Sequence, residues 1–468
     1  MFLGKKLLIK LFIINLFVLC GPAYPFQIQA QNIPLIESKI KEVFSLPELK
    51  AASYGIILTD VATGKILFSD QGEKLLIPAS SLKIATAAVA LRKLGSDKRM
   101  VTRLSYEGSI DKNGTLNGNI IVVGAGDPTL GSKENSGTDA ETLIARWVTK
   151  VKNAGIRKVN GAVIGDASCF QTEAEARDWL YEDIGNHYGA FATGLCLNEN
   201  RYTLILNSPA GENQLCEVKS YFPVVPGLNH TSFVRTSIAK GEDAWILGGP
   251  GQNERKVIGT LPPGKGSCTI NGALPDPPLA VAFRLKQALN AAGIEVSGNP
   301  KTVNMPTDKK GVRKELDAFA SPPLKSILEK MLIHSQNLFA ENMICLLATD
   351  GKKEEGLKLL HAAWPSQSGT KHKNFINDGS GLSPMNAVTP YSLAEASADW
   401  YAQVGKLGLK EKVPGVFVKS GYMERVRAYT GIIDKPGKPR MAFTFIVNHY
   451  RCGPPEMRRQ MEKIMNAF

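Results

Sequence analysis

Ser80 stands three residues before Lys83 in the stretch Pro78-Ala79-Ser80-Ser81-Leu82-Lys83. At the start of a helix this spacing puts both side chains on one face. A serine hydroxyl is a weak nucleophile until a neighbour removes its proton. A lysine can remove it once burial and nearby cations lower its pKa. The helix N-terminus adds a positive field where negative charge would develop. The chemistry this implies is acyl transfer to Ser80, with Lys83 as proton acceptor. Alone the pattern is cheap, because Ser-x-x-Lys also starts at Ser38, Ser109, Ser237 and Ser368. Ser80 differs in context: Pro78 precedes it and an apolar helix follows.

Two more elements come later in the chain. Ser335-Gln336-Asn337 falls between two expected helices, and Lys419-Ser420-Gly421 ends the expected strand Val416 to Val418. Read singly, the first is a polar loop and the second a strand-ending turn, where Ser and Gly are common. Their order after Ser80, in helix, loop and strand contexts, is that of a serine acyltransferase site. Competing motifs are weaker. Gly124-Ala125-Gly126 is followed by Asp127-Pro128 and lacks a third glycine, so it reads as a tight turn and not a dinucleotide loop. Glu182 to Asn186 has the spacing of a deacylating glutamate but precedes Ser335, and is discounted as a base. The six histidines form no metal-ligand pair, so neither metal nor cofactor is expected.

Positioning these residues requires a particular framework. The pattern predicts a helix over Leu35 to Phe44, a hairpin of Tyr54 to Leu58 with Ile66 to Phe68, and a helix over Leu82 to Leu94. From about 100 to 290 the texture is short β-rich runs separated by Gly, Pro and Asn turns. Helices follow over Leu324 to Ile333 and Leu338 to Leu347, then strands at Val416 to Lys419, Tyr429 to Ile433 and Met441 to Asn448. A closing helix from Glu456 carries Met457, Met461, Ile464, Met465 and Phe468 on one face. That stripe is expected to pack on a sheet, not to lie on a membrane. Strands from both ends of the chain would then share one antiparallel sheet.

Lys5, Lys6 and Lys10 precede the apolar run Leu11 to Leu19, and no acidic residue occurs before Glu37. This is the layout of a secretory signal peptide, assigned to residues 1–30. The run is short for a membrane span. Its loss takes the formal charge of +13 to about +10. That excess is dispersed, and no nucleic-acid module is present. Of the cysteines, Cys345 reads as a buried thiol and Cys216 with Cys268 as a possible pair.

With these residues in place, the sequence resembles the S13 peptidase family, the class C low-molecular-mass penicillin-binding proteins. Further shared runs are Gly126-Asp127-Pro128-Thr129-Leu130, Ile164-Gly165-Asp166, Leu197-Asn198-Glu199-Asn200 and Asp378-Gly379-Ser380-Gly381-Leu382-Ser383. The resemblance implies an α+β fold. A β-lactamase/DD-peptidase-like domain, residues 31–99 plus 300–468, would carry a large, mainly β insertion of two smaller domains at 100–299. It implies a periplasmic serine-type D-Ala-D-Ala carboxypeptidase, with DD-endopeptidase action open. Its substrates would be peptidoglycan stem peptides and its covalent inhibitors β-lactam antibiotics, with at most peripheral membrane contact.

By the same resemblance Ser80 attacks the carbonyl between two D-alanines and Lys83 takes the proton. Ser335 and Asn337 relay protons and hold the substrate amide. Lys419 and Ser420, in the run that Gly421 closes, bind the terminal carboxylate. The N–H groups of Ser80 and Tyr422 form the oxyanion hole. Asp183 is assigned to the amino end of the stem peptide, and reads equally as a surface carboxylate. Three departures stand out: Gln336 where the family usually has Asp, Pro384 in place of an arginine, and a short segment between Trp400 and Lys419. The alternatives are a β-lactamase, or a non-catalytic wall-binding or antibiotic-sensing protein.

Overall fold

The computed structural model describes residues 33–171, 177–306, 311–364 and 374–468. The expected signal segment, 1–30, lies outside the described residues. One antiparallel sheet joins the two ends of the chain. Its order is Lys410–Val413, Val416–Met423, Val426–Ile433, Met441–Asn448, Ser53–Asp60 and Ile66–Asp70. The N-terminal hairpin docks through Ser53–Asp60 on Met441–Asn448, with Ile57 opposite Thr444.

Both faces of this sheet are covered, so two of its central strands, Val426–Ile433 and Met441–Asn448, are buried throughout instead of alternating between buried and exposed. Met441–Asn448 is buried along its whole length. Phe443, Phe445 and Val447 face a core completed by Ile36 and Ile40 of the Ile33–Phe44 helix and by the closing helix. That helix, Pro454–Met465, buries Met457, Met461, Ile464 and Met465 there, with Phe468 just beyond it. The stripe is core packing, as expected. On the opposite face Ile446 and Ala428 meet the Lys83–Leu94, Leu324–His334, Asn337–Leu347 and Pro390–Val404 helices.

Among the described residues, the middle of the chain builds three further sheets. The largest has seven strands, with Thr115–Val123 pairing antiparallel to Val101–Ile110 and parallel to Val163–Asp166. Short β runs are not the whole of this region. The Ala140–Asn153 and Pro277–Ala291 helices pack on the large sheet through Leu143, Trp147, Val281 and Leu285. Asp139 caps the first by accepting the Thr142 N–H. Nor does this sheet end at residue 299: Lys301–Val303 and Arg313–Ala320 belong to it, the latter alongside Val101–Ile110. The remaining strands form a four-stranded and a three-stranded sheet around Tyr202, Cys216 and Cys268. Both of these cysteines are free thiols, so the possible pair is not made; Cys345 is fully buried and also free.

Candidate active site

The turn that carries Ser80, the candidate nucleophile, comes first. Ala79 adopts φ +46°, a left-handed conformation unusual for alanine. A single 3₁₀ turn, Ala79–Leu82, then runs into the Lys83–Leu94 helix. Ile84, Ala85, Ala87 and Ala88 of that helix are fully buried, so it is enclosed on all sides and carries Lys83 inside with it. Ser80 stays half-exposed at its mouth.

The Lys83 Nζ lies 2.9 Å from Ser80 Oγ, 2.6 Å from Asn337 Oδ1 and 2.6 Å from the Ser380 carbonyl oxygen. Burial holds its pKa well below the usual lysine range. The Lys419 charge pushes the same way, against Asp378 and Glu341. In the neutral amine, two N–H groups suffice for Asn337 and Ser380. The nitrogen lone pair is then left for the Ser80 hydroxyl, which reverses that hydrogen bond and readies the proton transfer.

Ser335 ends the Leu324–His334 helix in a left-handed conformation, φ +57°, and Asn337 begins the next helix. This tight junction lets one loop serve both lysines. Lys419 donates to Ser335 Oγ at 3.1 Å and to the Ser420 carbonyl at 2.9 Å, while Asn337 Nδ2 donates to the Tyr188 carbonyl at 2.8 Å. Burial, with the Lys410 charge adding to it, brings the Lys419 pKa down to about 7.

Lys419-Ser420-Gly421 is not the strand-ending turn its composition suggests, because the strand continues to Met423. Glycine is needed there for approach, not turning. A Cβ on Gly421 would sit 2.5 Å from the Pro78 oxygen and 3.1 Å from the Ser80 nitrogen. The bare strand therefore lies against the nucleophile turn, bringing the Ser80 and Gly421–Tyr422 backbones together.

Residues outside the expected set hold this arrangement. Asp378 Oδ1 accepts from the Gly381 N–H at 2.7 Å, and Oδ2 from the Ser383 N–H at 2.6 Å and Trp179 Nε1 at 2.9 Å. Glu341 Oε1 accepts from the Gly379 and Ser380 N–H groups at 3.0 and 2.8 Å, and its other oxygen pairs with Lys353 at 3.0 Å. Thr86 of the nucleophile helix donates to the Gly379 carbonyl at 2.6 Å. These bonds aim the Ser380 carbonyl at Lys83. The Asp-Gly-Ser-Gly-Leu-Ser run was the available signal; nothing local to Glu341 or Thr86 marks them.

Asp183 is half-buried beside Tyr188, the residue whose carbonyl holds Asn337. Burial pushes its carboxyl above the ordinary range, while the Tyr188 hydroxyl pulls the other way. Glu182 is exposed, and its main-chain carbonyl receives Asn186 Nδ2 at 2.6 Å, a local turn contact. Gln336 donates to Glu199 Oε2 at 3.2 Å, and Glu199 also receives Ser132 and Asn135, each at 2.6 Å. The short segment after Trp400 forms the edge strand Lys410–Val413, which turns through Gly415 at φ +74°. Gly126-Asp127 is the expected tight turn, with Asp127 accepting from the Thr129 N–H at 2.8 Å. Among the described residues, no group of three or more His, Cys, Asp or Glu side chains converges as a metal site.

The D-Ala-D-Ala carboxypeptidase 3 (S13) family matches residues 36–414. A D-alanyl-D-alanine carboxypeptidase of Actinomadura is 26% identical over 460 residues, covering 91% of this chain and 83% of its own. The carboxypeptidase DacB of Haemophilus influenzae is 23% identical, covering 88% of each chain. In structure, penicillin-binding protein 4 of H. influenzae superposes with a TM-score of 0.74 at 21% identity, covering 91% of this chain and 97% of that one. The same protein complexed with a β-lactam superposes at 0.70. The chain belongs to the D-Ala-D-Ala carboxypeptidase 3 (S13) family and is a serine-type D-Ala-D-Ala carboxypeptidase with the α+β DD-peptidase fold and added domains.

Proposed function

We propose that this carboxypeptidase is exported to the periplasm and trims peptidoglycan stem peptides through an acyl-enzyme on Ser80, with cross-link cleavage as a second reaction. One observation carries the reading: the buried Lys83 amine touches Ser80 Oγ, Asn337 Oδ1 and the Ser380 carbonyl together. Neutral Lys83 takes the Ser80 proton as Oγ bonds the D-alanyl carbonyl carbon. The Ser80 and Tyr422 N–H groups hold the resulting oxyanion. Lys83 returns the proton through Ser335 to the departing nitrogen while Asn337 holds the substrate amide, and the C–N bond breaks to free D-alanine. Lys419 and Ser420 hold the terminal carboxylate by charge-assisted hydrogen bonds. Water then attacks the ester and restores Ser80. Asp183 serves the amino end of the stem peptide.

The same attack opens a β-lactam ring and leaves the drug on Ser80. The exposed, turn-bound Glu182 offers no ready base for rapid release, which favours a peptidase over a β-lactamase. The apolar leader supports export. No helix among the described residues is long and apolar enough to cross a membrane. We assign residues 33–99 plus 321–468 to the peptidase unit, because the large sheet of the insertion closes at Ala320.

A muropeptide ending in D-Ala-D-Ala should release D-alanine, and Ser80→Ala should abolish that release. Intact mass should show a slowly lost penicillin adduct on wild type and none on Ser80→Ala. Absence of D-alanine at high enzyme concentration would sink the reading.

A further inference from the structure

Ser335, Lys419 and Ser420 also line a cavity of about 490 Å³ whose charged lining is cationic but for one residue. That volume falls within the roughly 300–1,000 Å³ typical of small-molecule sites. Lys410, Lys412, Arg427 and Arg458 line it together with Lys419, against one acid, Glu411. Two of these charges are already met. Lys412 pairs with Glu462 at 2.6 Å, and the Glu411 carboxylate receives the Gly415 N–H at 2.8 Å. Lys410, Arg427 and Arg458 have no ion pair among the described residues.

Arg427 is the telling residue. It is only 7% exposed, its Nε lacks a hydrogen-bond partner, and no described residue accepts from its guanidinium. It lies against the rings of Tyr422 and Tyr429, at 5.0 and 5.8 Å from their centroids. A buried guanidinium Nε–H without an acceptor is costly unless something else supplies one. Stacking holds its plane in place but satisfies no N–H.

We infer that this cavity is a subsite for the leaving group, and that it takes a carboxylate beyond the one held at Lys419 and Ser420. The inference rests on the proposed Ser80 chemistry. Free D-alanine has one carboxylate and one methyl, and it ends at Lys419. A peptidyl leaving group continues past that point and carries further carboxylates, so it alone reaches Arg427. In that reaction Ser80 Oγ bonds the D-alanyl carbonyl carbon and the bond to the cross-linking amine breaks. The serine proton ends on that amine, and water frees Ser80. The cavity therefore favours cross-linked peptides over simple stem termini.

The test compares kcat/KM for a D-Ala-D-Ala-terminated muropeptide and a cross-linked muropeptide dimer, in wild type, Arg427→Gln, Arg427→Lys and Arg458→Gln. Removing Arg427's charge should lower dimer cleavage about tenfold or more and alter D-alanine release less than about twofold. Arg427→Lys should recover part of the loss. Exposed Arg458→Gln should lower dimer cleavage by a smaller factor, with no change in thermal stability. Equal losses on both substrates, or undiminished dimer cleavage in Arg427→Gln, would overturn the subsite alone. A wild type that releases no D-alanine and cleaves no dimer would overturn the Ser80 reading with it.

Discussion

Two lysines share one small site, and the charge on Lys419 helps set the protonation of Lys83. In the proposed mechanism Lys83 has to be neutral to accept a proton, and the Lys419 charge helps keep it so. Lys419 has to be charged to hold a carboxylate, yet burial and Lys410 bring its pKa to about 7. The sign is therefore clear: as pH rises through about 7, Lys419 loses its proton and kcat/KM falls. Lys410→Gln removes the neighbouring positive charge, which raises the Lys419 pKa. The alkaline limb of kcat/KM for the short muropeptide should shift to higher pH, though not to that of a free lysine, because burial is the larger cause. A pH–rate profile of the variant measures the shift, and an unmoved limb would detach Lys419 from carboxylate binding.

At the level of elements, the site depends on backbones that approach more closely than a side chain permits. Gly381 has φ +79°, and a Cβ there would lie 2.0 Å from the Ala79 oxygen and 3.2 Å from the Ser80 nitrogen. Gly381→Ala should cost roughly 1–3 kcal/mol in backbone strain and displace the nucleophile turn. We expect a lower melting temperature together with penicillin acylation slowed about a hundredfold, read by stopped-time intact mass. Loss of stability with full acylation rate would show that the loop does not position Ser80. Helix periods, hairpins and the apolar closing helix were legible because local patterning decides them. The course of Lys419-Ser420-Gly421 was not, because what keeps it extended is its pairing with Ala428–Thr430 inside the sheet.

At the scale of the molecule, the insertion takes part in building the site. Its Tyr188 carbonyl orients Asn337, and its Glu199 carboxylate receives Gln336. Gln336→Asp would set a second carboxylate against the nearly buried Glu199. The variant should be destabilised by about 1–3 kcal/mol at neutral pH. Repulsion raises a carboxyl pKa in the folded state, so stability falls as pH rises and the deficit shrinks on acidification. Denaturant melts at about pH 8 and about pH 5 would register this, and a pH-independent deficit would contradict it.

The sequence alone determined the candidate nucleophile, its lysine, the order of the three elements proposed for the site and the α+β framework. These rest on residue types at fixed local spacing. Only the tertiary structure decided what makes them work together. Glu341 and Asp378 aim a carbonyl at Lys83 from elements far along the chain. Tyr188 reaches Asn337 from about 150 residues away. Arg427 acquires meaning only when the fold buries its Nε–H without an acceptor. Burial, long-range hydrogen bonds and the lowered lysine pKa values belong to the packed chain, because each depends on which distant groups exclude water from the same few ångströms.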